Sequence, residues 1–194
     1  MIPLCHDFGD ETVLVFGGGT VGARKARRFA REAEVVVVSP DFADADFGGA
    51  ERVREAPDED GVREWVARTD PALVVAATDD GDLNAAIETA AREAGALVNR
   101  TDEHGGRDPD SVVVPATVRD DPVVVSISTG GASPALSRYL RERIEDQIEG
   151  AGAMARLTGE LRDELQSRGV APDRRRAAVR EVVRSADVWT NLDR

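Results

Sequence analysis

Hydrophobic positions fall into short, almost unbroken runs in the front two-thirds of the chain and into four-residue repeats near its end. "TVLVF" (12–16) is a β-branched run that stops at glycine, and "EVVVVS" (34–39) is a second buried run. "ERVREA" (51–56) is weaker, "PALVVAATDD" (71–80) is strong, and "ALVN" (96–99) is the next. Between them, "VGARKARRFARE" (21–32) and "LNAAIETAAREAG" (83–95) carry helical patterns, the second closed by Gly95. Strands that are apolar throughout, separated by helices, predict a parallel sheet covered on both faces. "DSVVVPA" (110–116) and "DPVVVSISTGG" (121–131) follow without a helix between them and predict a strand pair at the far edge of that sheet.

After Gly131 the period changes. "SPALSRYLRERIEDQIEG" (133–150) starts with a serine cap and a proline in the first turn, both favoured at helix starts. Leu136, Leu140, Ile144 and Ile148 recur every four residues and line one helical face. "ARLTGELRDELQSRG" (155–169) repeats this with Leu157, Leu161 and Leu165, and "DRRRAAVREVVRSADVW" (173–189) is a third helix candidate. These stripes have too little sheet left to cover them. They serve either as a plain helical cap or as a dimerisation unit, and composition does not choose between the two.

Chemistry enters at the end of the first strand. Gly17, Gly19 and Gly22 form G-x-G-x-x-G between a strand and a helix, within the run Gly17, Gly18, Gly19, Thr20, Val21, Gly22. This is the dinucleotide fingerprint in its required setting. The first glycine makes the tight turn, the second lets the backbone approach a pyrophosphate, and the third lets helix and strand pack closely. The helix N-terminus adds unpaired N–H groups and the positive end of its dipole. The acid expected after the second strand is displaced to Asp41, which follows Ser39 and Pro40. No arginine lies close by in sequence to welcome a 2′-phosphate, so NAD is the predicted cofactor. "AATDD" ends the fourth strand with Thr78 and Asp79 at the crevice, beside the expected nicotinamide ribose, with Asp80 available to cap the next helix.

Composition narrows the class. The chain has 194 residues, enough for one domain with an appendage. Its net charge of −12 argues against nucleic-acid binding, which needs a basic face. Dense carboxylates and a single lysine, Lys25, are also what a salty, halophilic cytoplasm would select. One cysteine, Cys5, excludes an internal disulfide. No signal peptide or membrane-spanning run is visible, so a cytoplasmic location with no membrane partner is expected.

Taken together, "VLVFGGGTVGARKARRF", "LVVAATDDGDLN", "VNRTD" and "VVVPATVRDDPVVVSISTGGASPALSRYLRERIE" resemble the precorrin-2 dehydrogenase family, the NAD-dependent part of sirohaem synthase. The likeness is collinear from about residue 2 to residue 150 and weaker to the end. It implies oxidation of precorrin-2 to sirohydrochlorin with NAD, and in some relatives Fe²⁺ insertion to give sirohaem. It also implies a homodimer. By that resemblance Thr20 and Val21 lie over the pyrophosphate, Pro40 and Asp41 touch the cofactor, Asp102 is the catalytic acid–base group, and Thr129 lines the tetrapyrrole cleft. The implied fold is a Rossmann-type α/β domain, a doubly wound parallel sheet with a small edge strand pair and a C-terminal helical dimerisation region. The expected divisions are an NAD-binding domain (1–112), a dimerisation and active-site segment (113–150) and a helical region (151–194). No metal ligands are assigned.

The substrate is a flexible macrocycle rich in carboxylates, so an acidic protein must place local positive charge to bind it. Lys25, Arg24, Arg119 and Arg138 neighbour the motifs and are candidates, with Thr129, Gly130 and Ser133 of the "STGGAS" loop; taken singly, each arginine reads first as a solvated surface charge. A compact ammonium at Lys25 would fit beside the cofactor turn where a planar guanidinium does not. Asp102 would take the proton that must leave with the hydride; the alternative is a turn residue before "HGG". His104 could assist or be an ordinary loop histidine. The loop from Asp102 to Ser111 is longer than usual for the family, and Val112 stands where an aromatic is common. A short-chain dehydrogenase is excluded, because Tyr139 is followed four residues later by Arg143 rather than lysine. A non-catalytic NAD-sensing module remains the alternative, although it leaves the "STGGASPALS" loop unexplained.

Overall fold

The computed structural model describes residues 3–102 and 111–192. The chain divides into two compact units, Met1–Val114 and Pro115–Arg194.

In the first unit five strands form one parallel sheet: β1 (Thr12–Phe16), β2 (Glu34–Ser39), β3 (Glu51–Arg54), β4 (Leu73–Ala76) and β5 (Leu97–Arg100). Their order is β3-β2-β1-β4-β5, with Val15 in register with Val37 on one side and Val75 on the other. The central strands β1, β2 and β4 are almost wholly apolar because both faces are covered, whereas the edge strand β3 is largely polar and exposed. Leu14, Phe16, Val38, Val74 and Val98 point to one side and pack with Val62, Trp65 and Val66 of α2 (Glu59–Thr69) and Ile87 and Ala91 of α3 (Gly81–Glu93). Val13, Val15, Val35, Val37 and Val75 point to the other and pack with Ala23 and Ala26 of α1 (Thr20–Phe29) and with Phe47. Each such fully buried aliphatic side chain contributes about 1.5–3 kcal/mol.

The fold class is the one expected, a Rossmann-type doubly wound sheet. Helix α2 was not expected from the pattern. Its signals are an Asp58 cap, whose carboxylate accepts from Gly61 N, and the buried positions Val62, Trp65 and Val66. Asp80 caps α3 through Asp82 N and Leu83 N, as its position after the fourth strand suggested.

In the second unit β6 (Ala116–Asp120) pairs antiparallel with β7 (Val123–Ile127). The strand pair thus exists, but as its own two-stranded sheet rather than an edge of the larger one. The first strand also begins later than expected. Proline lacks an N–H, so a ladder starting at Ser111 cannot run through Pro115. Ser111 makes only an isolated bridge to Val98. Four helices follow: α4 (Pro134–Glu145), α5 (Ala151–Ser167), α6 (Pro172–Arg184) and α7 (Ala186–Leu192). The third predicted helix is therefore two, interrupted at Ser185, whose backbone is extended. Gly152 lets α5 seat on the β6–β7 turn: a Cβ there would lie 2.3 Å from Asp121 O, and its N–H donates to Asp120 Oδ2 at 2.9 Å. No helix among the described residues is long and apolar enough to cross a membrane.

Candidate active site

Strand order reverses at β1, which has β2 on one side and β4 on the other. Ligands of open parallel sheets bind at the strand C-termini beside such a switch point. The glycine turn occupies that place. Gly17 has φ +115, and a Cβ on it would lie 2.3 Å from Ala77 O at the end of β4. Gly22 seats α1 on the turn, since its Cβ would lie 1.9 Å from Gly17 O. Gly18 is packed against the segment after β2, its hypothetical Cβ 2.2 Å from Asp41 O.

Gly19 differs from all three: nothing lies within 4 Å of a Cβ built there. It is the position where side-chain absence leaves open space rather than relieving a contact within the fold. The helix behind it is suited to an anion. The N-terminus of α1 has no side-chain cap and no acid in its first turn, whereas α2 and α3 are capped by Asp58 and Asp80. The uncapped N–H groups of Thr20, Val21 and Gly22 therefore remain for a ligand. These residues fit a dinucleotide pyrophosphate.

Around this turn the strand ends are tied together. Asn84 is fully buried on the apolar face of α3. Its Oδ1 accepts from Thr78 N at 3.2 Å and from Thr78 Oγ1 at 2.7 Å, and its Nδ2 donates to Thr78 O at 3.1 Å. Thr78 is thus fixed to α3, while Asp79 is exposed.

Asp102, two residues past β5, is gripped by Arg100. The guanidinium donates twice, Nη2 to Oδ2 at 2.6 Å and Nε to Oδ1 at 3.1 Å. Arg100 also reaches Glu88 at 3.1 Å, and Glu88 accepts from Arg92 at 2.6 Å. The Arg100 guanidinium holds the Asp102 carboxyl below the usual aspartate range; partial burial opposes this, and a hydrogen bond from Asn84 adds to the lowering. The carboxylate is therefore charged at neutral pH.

Lys25 turns inward. Its Nζ donates to Asn99 Oδ1 at 2.7 Å, and Asn99 Nδ2 donates to Val112 O at 2.7 Å. The ammonium thus ties α1 to β5 and, through Asn99, to the segment leading out of the sheet. Arg24 is exposed on the same helix.

In the second unit, Thr129 Oγ1 donates to Ser133 O at 3.1 Å and accepts from Ser133 N at 3.2 Å. Ser133 Oγ in turn accepts from Leu136 N at 3.2 Å and caps α4. Gly130 and Gly131 both have positive φ, which lets the loop close this tightly. Arg119 lies 3.7 Å from Asp121, and Arg138 is exposed. His104 and most of the loop from Asp102 to Ser111 lie outside the described residues.

Sequence reasoning overlooked Asn84, Glu88, Arg92, Arg100 and Arg54. Asn84 carried a signal, a lone amide in the stripe that also contains Ile87 and Ala91. Arg54 did not: it lies 13 residues after Asp41, yet its Nη1 donates to Asp41 Oδ1 at 2.8 Å. The absence of an arginine near Asp41 in sequence is thus no guide to the absence of one in space.

Comparison with known proteins places this geometry. A family model described as "Putative NAD(P)-binding" matches residues 4–116, and one described as "Sirohaem biosynthesis protein central" matches residues 120–147. The precorrin-2 dehydrogenase of Methanosarcina barkeri is 34% identical over 201 residues, covering 98% of this chain and 86% of that protein. The chain belongs to the precorrin-2 dehydrogenase family. A siroheme synthase of Nitrosospira multiformis is 38% identical over 90% of this chain, but the match spans only 38% of that longer protein. The solved structure "SirC, precorrin-2 dehydrogenase" superposes with a TM-score of 0.70 at 21% identity, covering 99% of this chain and 96% of that one, and so shares the fold of the family. The cofactor expected of a precorrin-2 dehydrogenase is NAD, in line with the glycine turn.

Proposed function

We propose that the chain oxidises precorrin-2 to sirohydrochlorin with NAD⁺. The observation that carries this reading is the pairing, on one edge of one sheet, of an open, uncapped glycine turn with an anchored carboxylate. The substrate loses a hydride and a proton, and the products are sirohydrochlorin, NADH and H⁺. When bound, the nicotinamide supplies the hydride acceptor.

The protein's own residues do the rest. The N–H groups of Thr20, Val21 and Gly22 hold the pyrophosphate, with Gly17 and Gly18 shaping the turn and Gly19 leaving room for it. Pro40 and Asp41 border the adenosine ribose, and Thr78 and Asp79 the nicotinamide side. Asp102 stays ionised because Arg100 grips it. A carboxylate with a depressed pKa is a weak base, but a macrocycle that has just lost hydride is cationic and its protons are acidic. A weak base that is ionised before the step suits it, and its charge offsets the positive charge that develops on the ring until the proton is passed on. Arg24, Arg119, Gly130 and Ser133 are proposed to meet the substrate's carboxylates, with Lys25 and Thr129 shaping the segments that carry them.

A homodimer in the cytoplasm fits the same reading. Helix α4 buries none of its residues within the chain, and Leu136 and Tyr139 on it are 47% and 55% exposed. A second subunit is the natural cover for that face. Neither nucleic acid nor a membrane is a fitting partner for a chain of net charge −12.

The test is to incubate the purified chain with precorrin-2 and NAD⁺ and follow NADH absorbance and the macrocycle's visible spectrum. NADH formed in step with sirohydrochlorin supports the reading. Tight NAD⁺ binding without turnover overturns it in favour of a sensor module. Adding Fe²⁺ afterwards reads out metal insertion in the same cuvette.

A further inference from the structure

Strand β3 runs parallel to β2 with Arg54 in register with Ser39, and Glu55 N donates to Ser39 O at 3.1 Å. The two strand ends therefore finish side by side. Arg54 Nη1 donates to Asp41 Oδ1 at 2.8 Å and to Pro40 O at 3.3 Å. Its guanidinium carbon lies 6.0 Å from the centroid of the Phe42 ring. Asp41 itself is held on the glycine turn, through the Gly18 contact already described and through Ala43 N, which donates to Gly18 O at 2.8 Å. An acid and an arginine thus share the one place where the two dinucleotides differ chemically: NAD presents a ribose 2′-hydroxyl there and NADP a 2′-phosphate.

We propose that Arg54 sets the dinucleotide selectivity of this chain, by holding Asp41 on the ribose and by being occupied by it. This rests on the glycine turn being the dinucleotide site. With the pair intact, the carboxylate accepts from the 2′-hydroxyl of NAD and repels a 2′-phosphate. While the two are paired, the Asp41 carboxylate offsets the guanidinium's charge, so the arginine offers that phosphate little net attraction. Without the Asp41 charge, Arg54 keeps its seat on Pro40 O and beside Phe42. A planar donor fork is then placed for a 2′-phosphate, the geometry for which arginine surpasses lysine. Both side chains are largely exposed, 68% and 88%, so substitution here leaves the core alone.

The test is calorimetric titration of NAD⁺ and NADP⁺ into the parent, Asp41→Asn, Arg54→Gln and the double variant, with circular dichroism to check folding. The parent should prefer NAD⁺. Asp41→Asn should bind NADP⁺ about tenfold or more tighter than the parent does, the range of one charge-assisted hydrogen bond, and should bind NAD⁺ several-fold more weakly. The double variant should lose the gain for NADP⁺, and Arg54→Gln alone should loosen NAD⁺ several-fold. An equal NADP⁺ gain in Asp41→Asn and in the double variant overturns the proposal. So does an Arg54→Gln variant whose affinities for both dinucleotides match the parent's. A parent that binds neither dinucleotide overturns the site itself and this inference with it, an outcome separate from altered ratios.

Discussion

Two acid–arginine pairs stand at strand ends of the same sheet, and they differ in almost everything but composition. Arg54 meets Asp41 with one hydrogen bond at 2.8 Å, and both side chains are mostly in solvent. Arg100 meets Asp102 with two, and the side chains are only 11% and 30% exposed. Arg100 also joins Glu88, which is 13% exposed. An exposed pair is screened by water and adds little to stability, about 0–1 kcal/mol. A partly buried, two-pronged pair within a network holds its geometry and depresses the acid's pKa. The exposed pair can exchange partners with a ligand, and the buried one can present a fixed charge to it.

The largest effect should come from the charge that the buried pair presents. Asp102→Asn keeps the size of the side chain but cannot take a proton at neutral pH. Dehydrogenase turnover should fall on the order of 10²–10⁴-fold, the usual loss for a positioned general base, with NAD⁺ affinity unchanged. Turnover within a few-fold of the parent would make Asp102 a turn residue and move the role to His104 or Thr129.

Next in size is the contrast in stability. Arg100→Gln leaves Glu88 and Asp102 without their shared cation and should destabilise the fold by about 3 kcal/mol, at the lower end for a broken buried pair. Arg54→Gln should change stability by less than about 1 kcal/mol. Urea unfolding of the two variants beside the parent measures both, and equal losses would erase the distinction drawn between the pairs.

The smallest effect is in acid. The folded-state pKa of Asp102 lies below its unfolded value. Its contribution is therefore fully present above the unfolded pKa and is lost as pH falls through the folded one. The stability gap between the parent and Asp102→Asn should accordingly narrow below about pH 4. In Arg100→Gln the Asp102 pKa should rise toward the ordinary aspartate value, and any acid limb of the turnover profile should move up with it. A gap that is constant down to the acid unfolding midpoint would contradict the assigned role of Arg100.

Much of the molecule is legible in the sequence. The four apolar runs, the glycine spacing and the Asp80 cap follow from local rules: side-chain period, backbone freedom at glycine and the unpaired N–H groups of a helix start. Each is enforced within a few residues, so the linear sequence carries it. Even the split roles of the glycines were readable, with Gly17 and Gly22 making contacts inside the fold and Gly19 facing open space.

What the sequence alone did not decide are the pairings between distant residues. Lys25 ends on Asn99, 74 residues away, and Arg54 ends on Asp41 because β3 lies beside β2. Asn84 braces Thr78 because α3 folds back over the end of β4. Strand order and register set these meetings. A charged side chain with several rotatable bonds has many partners available in the unfolded chain, and only the assembled sheet brings one of them within hydrogen-bond reach. The sequence thus determined that a dinucleotide turn and a carboxylate would share a sheet edge. Tertiary structure determined which arginine holds each acid, and so which acid keeps a fixed charge and which can exchange its partner.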